Sequence, residues 1–285
     1  MQCISVSFDL HFGYPGTAHD CTAVLYVISN LQKSVSMSIS LGKCVRENQI
    51  KCLTDILAGK NGRLQVKYFN LVDSRLTGSS LQALEVAVRG NLLSKLEELC
   101  LMGSLTSVAD VNAAWLTTFA EALLDHCPNL WHVDLSRNNF GVAGATALSR
   151  LTSDDRHGII LSLSKTCLGD EGLTALIQSH RIVTGGFHFQ DNDIHATGVS
   201  CLADAVCSGK VVMHPVHARV LFDTFKVVCF NRQLGGRYLA LASLHILILT
   251  DNPLGIEGTV AITRLLSSSH CKFREIHLSG CELNS

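Results

Sequence analysis

Apolar and polar positions recur along this chain in a fixed order. The clearest copy sets Leu130, Val133, Leu135, Asn138 and Phe140 ahead of Gly144, Leu148 and Leu151. Val133 and Leu135 alternate with polar neighbours, a period of two that predicts a short strand with both side chains facing inward. Beyond the amide and the glycine the period lengthens to that of a helix, as in Leu173, Leu176 and Ile177, or Val199, Leu202, Ala203 and Val206. A second copy runs Leu161, Leu163, Thr166, Leu168, Gly172, Leu176, and a third Phe187, Phe189, Asn192, Ile194, Gly198, Leu202. Another is Leu244, Leu247, Leu249, Asn252, Leu254, Gly258, Ile262, and a half-copy follows as Phe273, Ile276, Leu278, Cys281, Leu283. Upstream, Leu96, Leu99, Leu101 and Ser104 fit the strand half. Weaker copies centre on Phe69, Leu71, Ser74, Leu76 and on Ile39, Leu41, Cys44.

The spacing of equivalent positions sets the kind of repeat. Positions 133 to 161 span 28 residues, 161 to 187 span 26, and 247 to 276 span 29. These sit at the long end of the roughly 20 to 29 residues of leucine-rich repeats, leaving room for a whole helix in each. The strand, amide and glycine at constant offsets resemble the leucine-rich repeat pattern. That resemblance implies an α/β solenoid, or horseshoe, with short parallel strands on the concave face and α-helices on the convex face. Asn138, Asn192 and Asn252 are expected to turn inward and bond unpaired backbone groups of adjacent turns. Thr166, Ser74 and Ser104 would do part of this, and Cys44 and Cys281 would do it weakly. Gly144, Gly172, Gly198 and Gly258 fall where the loop enters the helix, where a missing Cβ permits close packing or unusual dihedrals.

Two departures interrupt the period. Positions 187 to 247 span 60 residues, about one repeat too many, and the surplus lies roughly between Gly209 and Ser243. Phe225, Val228 and Phe230 mimic a strand half there, so the block reads as an insertion, a degenerate repeat or joined non-coding sequence. The start offers a helix-like run from Cys21 to Leu31 without a clear strand half before it, and the last strand half has no helix after it. The expected organisation is therefore a partial repeat or cap over 1–31, repeats over 32–208, an irregular block over 209–243, and C-terminally incomplete repeats over 244–285. Such ends suggest a piece of a longer protein, because solenoid ends need polar caps.

Composition narrows the class. The 285 residues are 47% hydrophobic and only 16% charged, against about 25% on average. So low a charge hints that part of the surface is covered by another molecule. The net charge of −1 leaves no overall electrostatic footprint for nucleic acid. Twelve cysteines are scattered through motif and helix positions, with no C-x-x-C and no compact block. That placement fits free thiols in a reducing compartment. The N-terminus lacks a signal-peptide pattern, and the apolar stretch around Ala23 to Ile28 is too short to span a bilayer. A cytoplasmic location is expected, with no membrane contact.

The phrases LWHVDLSRNNFGVAGATAL and LHILILTDNPLGIEGTVAI are similar to the ribonuclease-inhibitor-like repeats at the C-terminal end of NOD-like receptors, intracellular innate immune sensors. Similar repeats occur in ribonuclease inhibitor and in Ran GTPase-activating proteins. The resemblance covers most of the chain from about Val35. It implies a ligand-sensing or autoinhibitory role, with nucleotide-driven switching assigned to an upstream NACHT module that this sequence does not contain. Ala58, Gly59, Lys60 and Asn61 come nearest to a phosphate loop, but Thr54 stands at the first glycine position and no Ser or Thr follows the lysine. A helix-ending glycine and turn explains them.

A protein partner is expected on the concave face, where residues flanking the inward leucines point to solvent. They are Lys43; Tyr68 and Asp73; Glu98 and Met102; His132, Asp134 and Arg137; Lys165; His188, Gln190 and Asp191; Asp251; Glu275 and His277. Strands about 4.8 Å apart would merge them into one mixed-charge stripe. Its aromatic, Met and Arg members are residue types that anchor interfaces. The other reading is an enzyme regulator, an inhibitor wrapping a hydrolase or a GTPase activator. Catalysis, cofactor and metal are not expected. Cys207, His214, His217 and Cys229 match no compact zinc spacing. His126 and Cys127 adjoin at a helix end rather than meeting as a nucleophile and base.

Overall fold

The computed structural model describes residues 4–10, 25–26, 28–30, 35–41, 47–59, 64–105, 113–153, 155–178, 181–214 and 245–283. Its strands are β1 (Ile4–Leu10), β2 (Val35–Leu41), β3 (Leu64–Asn70), β4 (Glu98–Cys100), β5 (His132–Asp134), β6 (Ile160–Ser162), β7 (Ile182–Thr184), β8 (Gly186–His188), β9 (Val211–Met213), β10 (Ile246–Ile248) and β11 (Glu275–His277). Nine of them form one parallel sheet in chain order, while β7 and β9 pair separately. The helices are α1 (Glu47–Gly59), α2 (Gly78–Arg89), α3 (Ala113–His126), α4 (Gly141–Leu148), α5 (Gly169–Gln178), α6 (Ala196–Cys207) and α7 (Gly255–Ser267), each packed against the next. Parallel neighbours demand a crossover, and the helix of each repeat supplies it.

The register follows from the alternation in sequence. Phe69, Leu99, Val133, Leu161, Phe187, Leu247 and Ile276 are Cα partners along a single ladder. All but Ile276 are buried in one apolar core together with Leu71, Leu101, Leu135, Leu163, Phe189 and Leu249. This is the α/β parallel-sheet solenoid that the repeat spacing predicts.

The amide positions stitch turn to turn. Asn138 Nδ2 donates to Leu101 O at 3.0 Å and Leu135 O at 2.7 Å, and its Oδ1 accepts from Leu105 N at 2.7 Å. Asn252 bridges the Asn192 repeat in the same way, accepting from Asn192 N and Ile194 N, each at 3.0 Å, and donating to Phe189 O at 2.9 Å. Ser104 donates to Leu71 O and accepts from Ser74 N at 3.1 Å, and Ser74 donates to Leu41 O, so hydroxyls also reach the preceding turn. Thr166 Oγ1 donates to Leu163 O at 2.7 Å in its own turn and lies 3.1 Å from Asn192 Oδ1 in the next. Cys281 Sγ donates to Leu249 O at 3.1 Å. The conserved geometry of the glycine positions is about space: a Cβ on Gly144 would collide with Phe140, and one on Gly258 with Leu254.

Three expectations change. The start does contain a strand: β1 pairs with β2 in parallel over its full length, from Ile4↔Val35 to Leu10↔Leu41. Ile4, Val6, Phe8 and Leu10 alternate as a strand should, but no amide-and-glycine motif follows to mark them. Helical residues lie at 25–26 and 28–30, with Leu25 and Ile28 buried. Second, residues 211–213 are not irregular. They form β9, in register with β7 from Ile182↔Val211 to Thr184↔Met213. Third, β8 pairs directly with β10, Phe187 opposite Leu247, so no strand lies between them. His214 N donates to Thr184 O at 3.1 Å and His245 N to Gly185 O at 2.6 Å. His214 and His245 thus lie at adjacent points. Phe225, Val228, Phe230, His217 and Cys229, and likewise Lys43 and Cys44, lie outside the described residues.

Candidate functional site

Because the middle residue of each strand faces the helices, its two neighbours face the open side of the sheet. One row there comprises Tyr68, Glu98, His132, Ile160, Gly186, Ile246 and Glu275. The other comprises Asn70, Cys100, Asp134, Ser162, His188, Ile248 and His277. A third row lies in the turns after the strands. Asp73, Arg137, Lys165, Asp191 and Asp251 all adopt positive φ between 53° and 61°, with Gly103 and Gly280 at equivalent places.

The turn row is a ladder of ion pairs and polar contacts. Arg137 Nη1 lies 3.3 Å from Asp73 Oδ1, Lys165 Nζ lies 2.6 Å from Asp191 Oδ2, and Gln190 Nε2 donates to Asp251 Oδ2 at 3.1 Å. These side chains are exposed or half-buried, so each pair contributes at most about 1 kcal/mol. Tyr68 Oη donates to Glu97 Oε2 at 3.2 Å, and Glu97 also pairs with Lys67 at 2.7 Å.

The centre of the open face is more closely bonded. Ser162 Oγ is 3.1 Å from His132 Nε2 and 2.8 Å from His188 Nδ1. His132 Nδ1 is 3.7 Å from Glu98 Oε2, and its ring stacks on Trp131. Burial pulls the His132 pKa down, but the contact and charge of Glu98 and the charge of Asp134 outweigh it, leaving it above the ordinary value. His188 goes the other way, to about 3, through burial and the nearby His132 and His277. Burial, reinforced by Asp134 and Glu98, holds the Cys100 thiol well above its usual range. Asp134 accepts from Ser136 N at 2.9 Å and from Cys100 Sγ at 3.9 Å. Among the described residues Glu98 Oε1 and His188 Nε2 are covered and have no hydrogen-bond partner, while His277 Nε2 lies 3.5 Å from Glu275 Oε2.

Two expected surface residues are corrected. His132 is buried at 9% exposure and Met102 at 8%. His132 is covered because Trp131, Glu98 and the Ser162 row close around its ring. Met102 has its apolar surface withdrawn from water. Ser162 and Cys100, absent from the expected stripe, belong to the same row as Asp134. Aligning the repeats on Val133, Leu161 and Leu99 would have found them.

His126 ends α3 with Nδ1 3.1 Å from Asn91 Oδ1, while Cys127 is buried and its thiol pushed up to about 12 by burial. Lys60 and Asn61 lie outside the described residues, and α1 ends at Gly59. Among the described residues no group of three His, Cys, Asp or Glu is placed to hold a metal ion. No described helix is long and apolar enough to cross a membrane.

Residues 126–149 and 160–176 match the family described as Leucine Rich repeat. The chain carries leucine-rich repeats in these two stretches. Its matched stretches carry β5 with α4 and β6 with α5, one strand and one full helix per turn, which is the ribonuclease-inhibitor-like form of the repeat. No curated protein matches the chain.

Proposed function

We propose that this leucine-rich repeat protein is a non-catalytic binding module that buries a protein partner on the open, concave face of its sheet. One observation supports this most: two polar atoms on that face, Glu98 Oε1 and His188 Nε2, have no hydrogen-bond partner among the described residues. Buried polar groups ordinarily find partners, and solenoid sheets offer extended surfaces able to supply them. The contact residues would be Tyr68, Asp73, Glu98, Asp134, Arg137, Lys165, His188, Gln190, Asp251 and His277, with His132 and Met102 acting from beneath. The motif resemblance favours the ligand-sensing or autoinhibitory part of a NOD-like-receptor-type innate immune protein. The eight described cysteines are free thiols, which suits a reducing, cytoplasmic setting.

The test places a photo-crosslinking residue at Lys165 or Gln190 on the open face, and at Val86 on the exposed side of α2 as a control. Adducts of one partner from the open face alone support the reading; adducts from Val86 alone overturn it. The second reading, an enzyme regulator, rests on the same repeat type. Stimulation of a Ran-type GTPase, or inhibition of a ribonuclease, by the purified chain would favour it.

A further inference from the structure

Glu98, His132, Ser162 and His188 come from four adjacent strands, β4, β5, β6 and β8, and touch in series across the open face. Each contact in the series has a direction. Glu98 Oε2 lies 3.7 Å from His132 Nδ1, so its charge favours a proton on that nitrogen. Ser162 has one proton to donate, and imidazoles on both sides of its oxygen. The hydroxyl therefore points at one ring and accepts from the other, and the choice between them is not free.

We propose that this series is a proton relay in which the protonation of His132 decides whether His188 Nε2 presents a hydrogen-bond donor or an acceptor to the open face. When His132 carries both protons, its Nε2–H donates to Ser162 Oγ. The hydroxyl then donates to His188 Nδ1, and His188 keeps its proton on Nε2. Loss of one proton reverses the series. The His188 Nε2 proton leaves to water or to a base on the partner. Ser162 passes its hydroxyl proton to His188 Nδ1 and takes the Nε2 proton of His132. Ser162 now donates to His132 Nε2 and accepts from His188 Nδ1–H, so His188 Nε2 is left with a bare lone pair. One proton has left, and every other nitrogen and oxygen valence is conserved.

The surroundings suit such a device. Charged groups facing His132 are Glu98 from β4 and Asp134 on its own strand; Cys100 of β4 donates to Asp134, and His188 lies beyond Ser162. His188 faces His132 and His277. The two carboxylates favour the charged form of His132, whereas His188 stays neutral and so changes tautomer rather than charge. Among the described residues His188 Nε2 has no hydrogen-bond partner. Once the side chains that cover it part, a partner carbonyl or carboxylate is matched there in the first state, and an amide or hydroxyl donor in the second. The relay deepens the concave-face reading, yet it is tested without any partner, so the two can fail separately.

The test is the histidine 15N shifts of the full chain, followed across about pH 5 to 9. The expected result is that His188 Nε2 changes from the protonated to the bare type, and Nδ1 in the opposite sense, at the midpoint where His132 titrates. Ser162→Ala should leave the His132 titration in place and abolish the inversion at His188. Ser162→Thr, which keeps the hydroxyl, should retain it. A His188 ring that holds one tautomer throughout in the parent protein overturns the relay, whether or not the variants fold. So does an inversion that persists in Ser162→Ala.

Discussion

Arg137 reaches Asp73 across an intervening repeat, Nη1 to Oδ1 at 3.3 Å, because Gly103 stands between them with no side chain. A Cβ on Gly103 would collide with Asp73 Oδ1 and lie 3.9 Å from the Arg137 Cβ. Gly103 also sits at φ 64°, in a row where every repeat adopts the left-handed region. Gly103→Ala should lower stability by about 1–2 kcal/mol, from backbone conformation and the collision together. Asp73→Ala alone should change it by under about 1 kcal/mol, since the pair is solvated. Urea unfolding of the two single variants and the double variant checks this. Full additivity would show that the collision contributes nothing.

The amide of Asn252 satisfies donors and acceptors in two turns at once. Asn252→Ala leaves Asn192 N, Ile194 N and Phe189 O without that partner in a buried loop. The expected cost is about 3 kcal/mol, against about 0.5 kcal/mol or less for the exposed Asn139→Ala. Equal midpoints for the two variants in a denaturant titration would remove the ladder from the account of stability.

Acid should weaken the fold through His188. Its folded pKa lies at about 3, below its unfolded value near 6.5, so the unfolded chain binds the extra proton first. Stability from this group is full above about pH 6.5 and is lost as pH falls toward 3. By pH 4.5 the loss is on the order of 2 kcal/mol. His132 has the opposite sign: its raised pKa contributes fully below about 6.5 and is lost as pH rises through the folded value. His188→Asn should flatten the acid limb of a stability profile. An unchanged acid slope would assign it to other groups.

His214 bonds Thr184 and His245 bonds Gly185, and β8 pairs directly with β10, so the ends of the 215–244 stretch lie close together. Replacing them with a short Gly-Ser linker should leave the melting temperature within about 3 °C and the circular dichroism per repeat intact. Loss of cooperative melting would mean that the block contributes to the core.

Alkylation should separate the thiols. Cys52 and Cys167 are exposed, while Cys127 is buried with its thiol pushed up to about 12. At pH 8 the first two should react and Cys127 should not until the chain unfolds. Mass spectrometry of peptides from the native protein reads this directly.

The chain's own letters determined the repeat. Inward leucines, the amide at a constant offset and the small residue at the helix entrance express local periodicity, and local periodicity is visible in one dimension. Hence the ladder from Phe69 to Ile276 was legible in advance, and so was the bonding duty of Asn138, Asn192 and Asn252. β1 escaped notice because its alternation lacks the flanking motif, and β9 because its partner β7 is paired only in space. What tertiary structure alone decided lies across strands. Which neighbour stands beside His132 depends on how the 26 to 29 residue turns stack, with Ser162 and His188 brought beside it from two other strands. Burial of His132 and Met102 came from that stacking too, since a residue's exposure is set by its neighbours' side chains and not by its own place in the alternation.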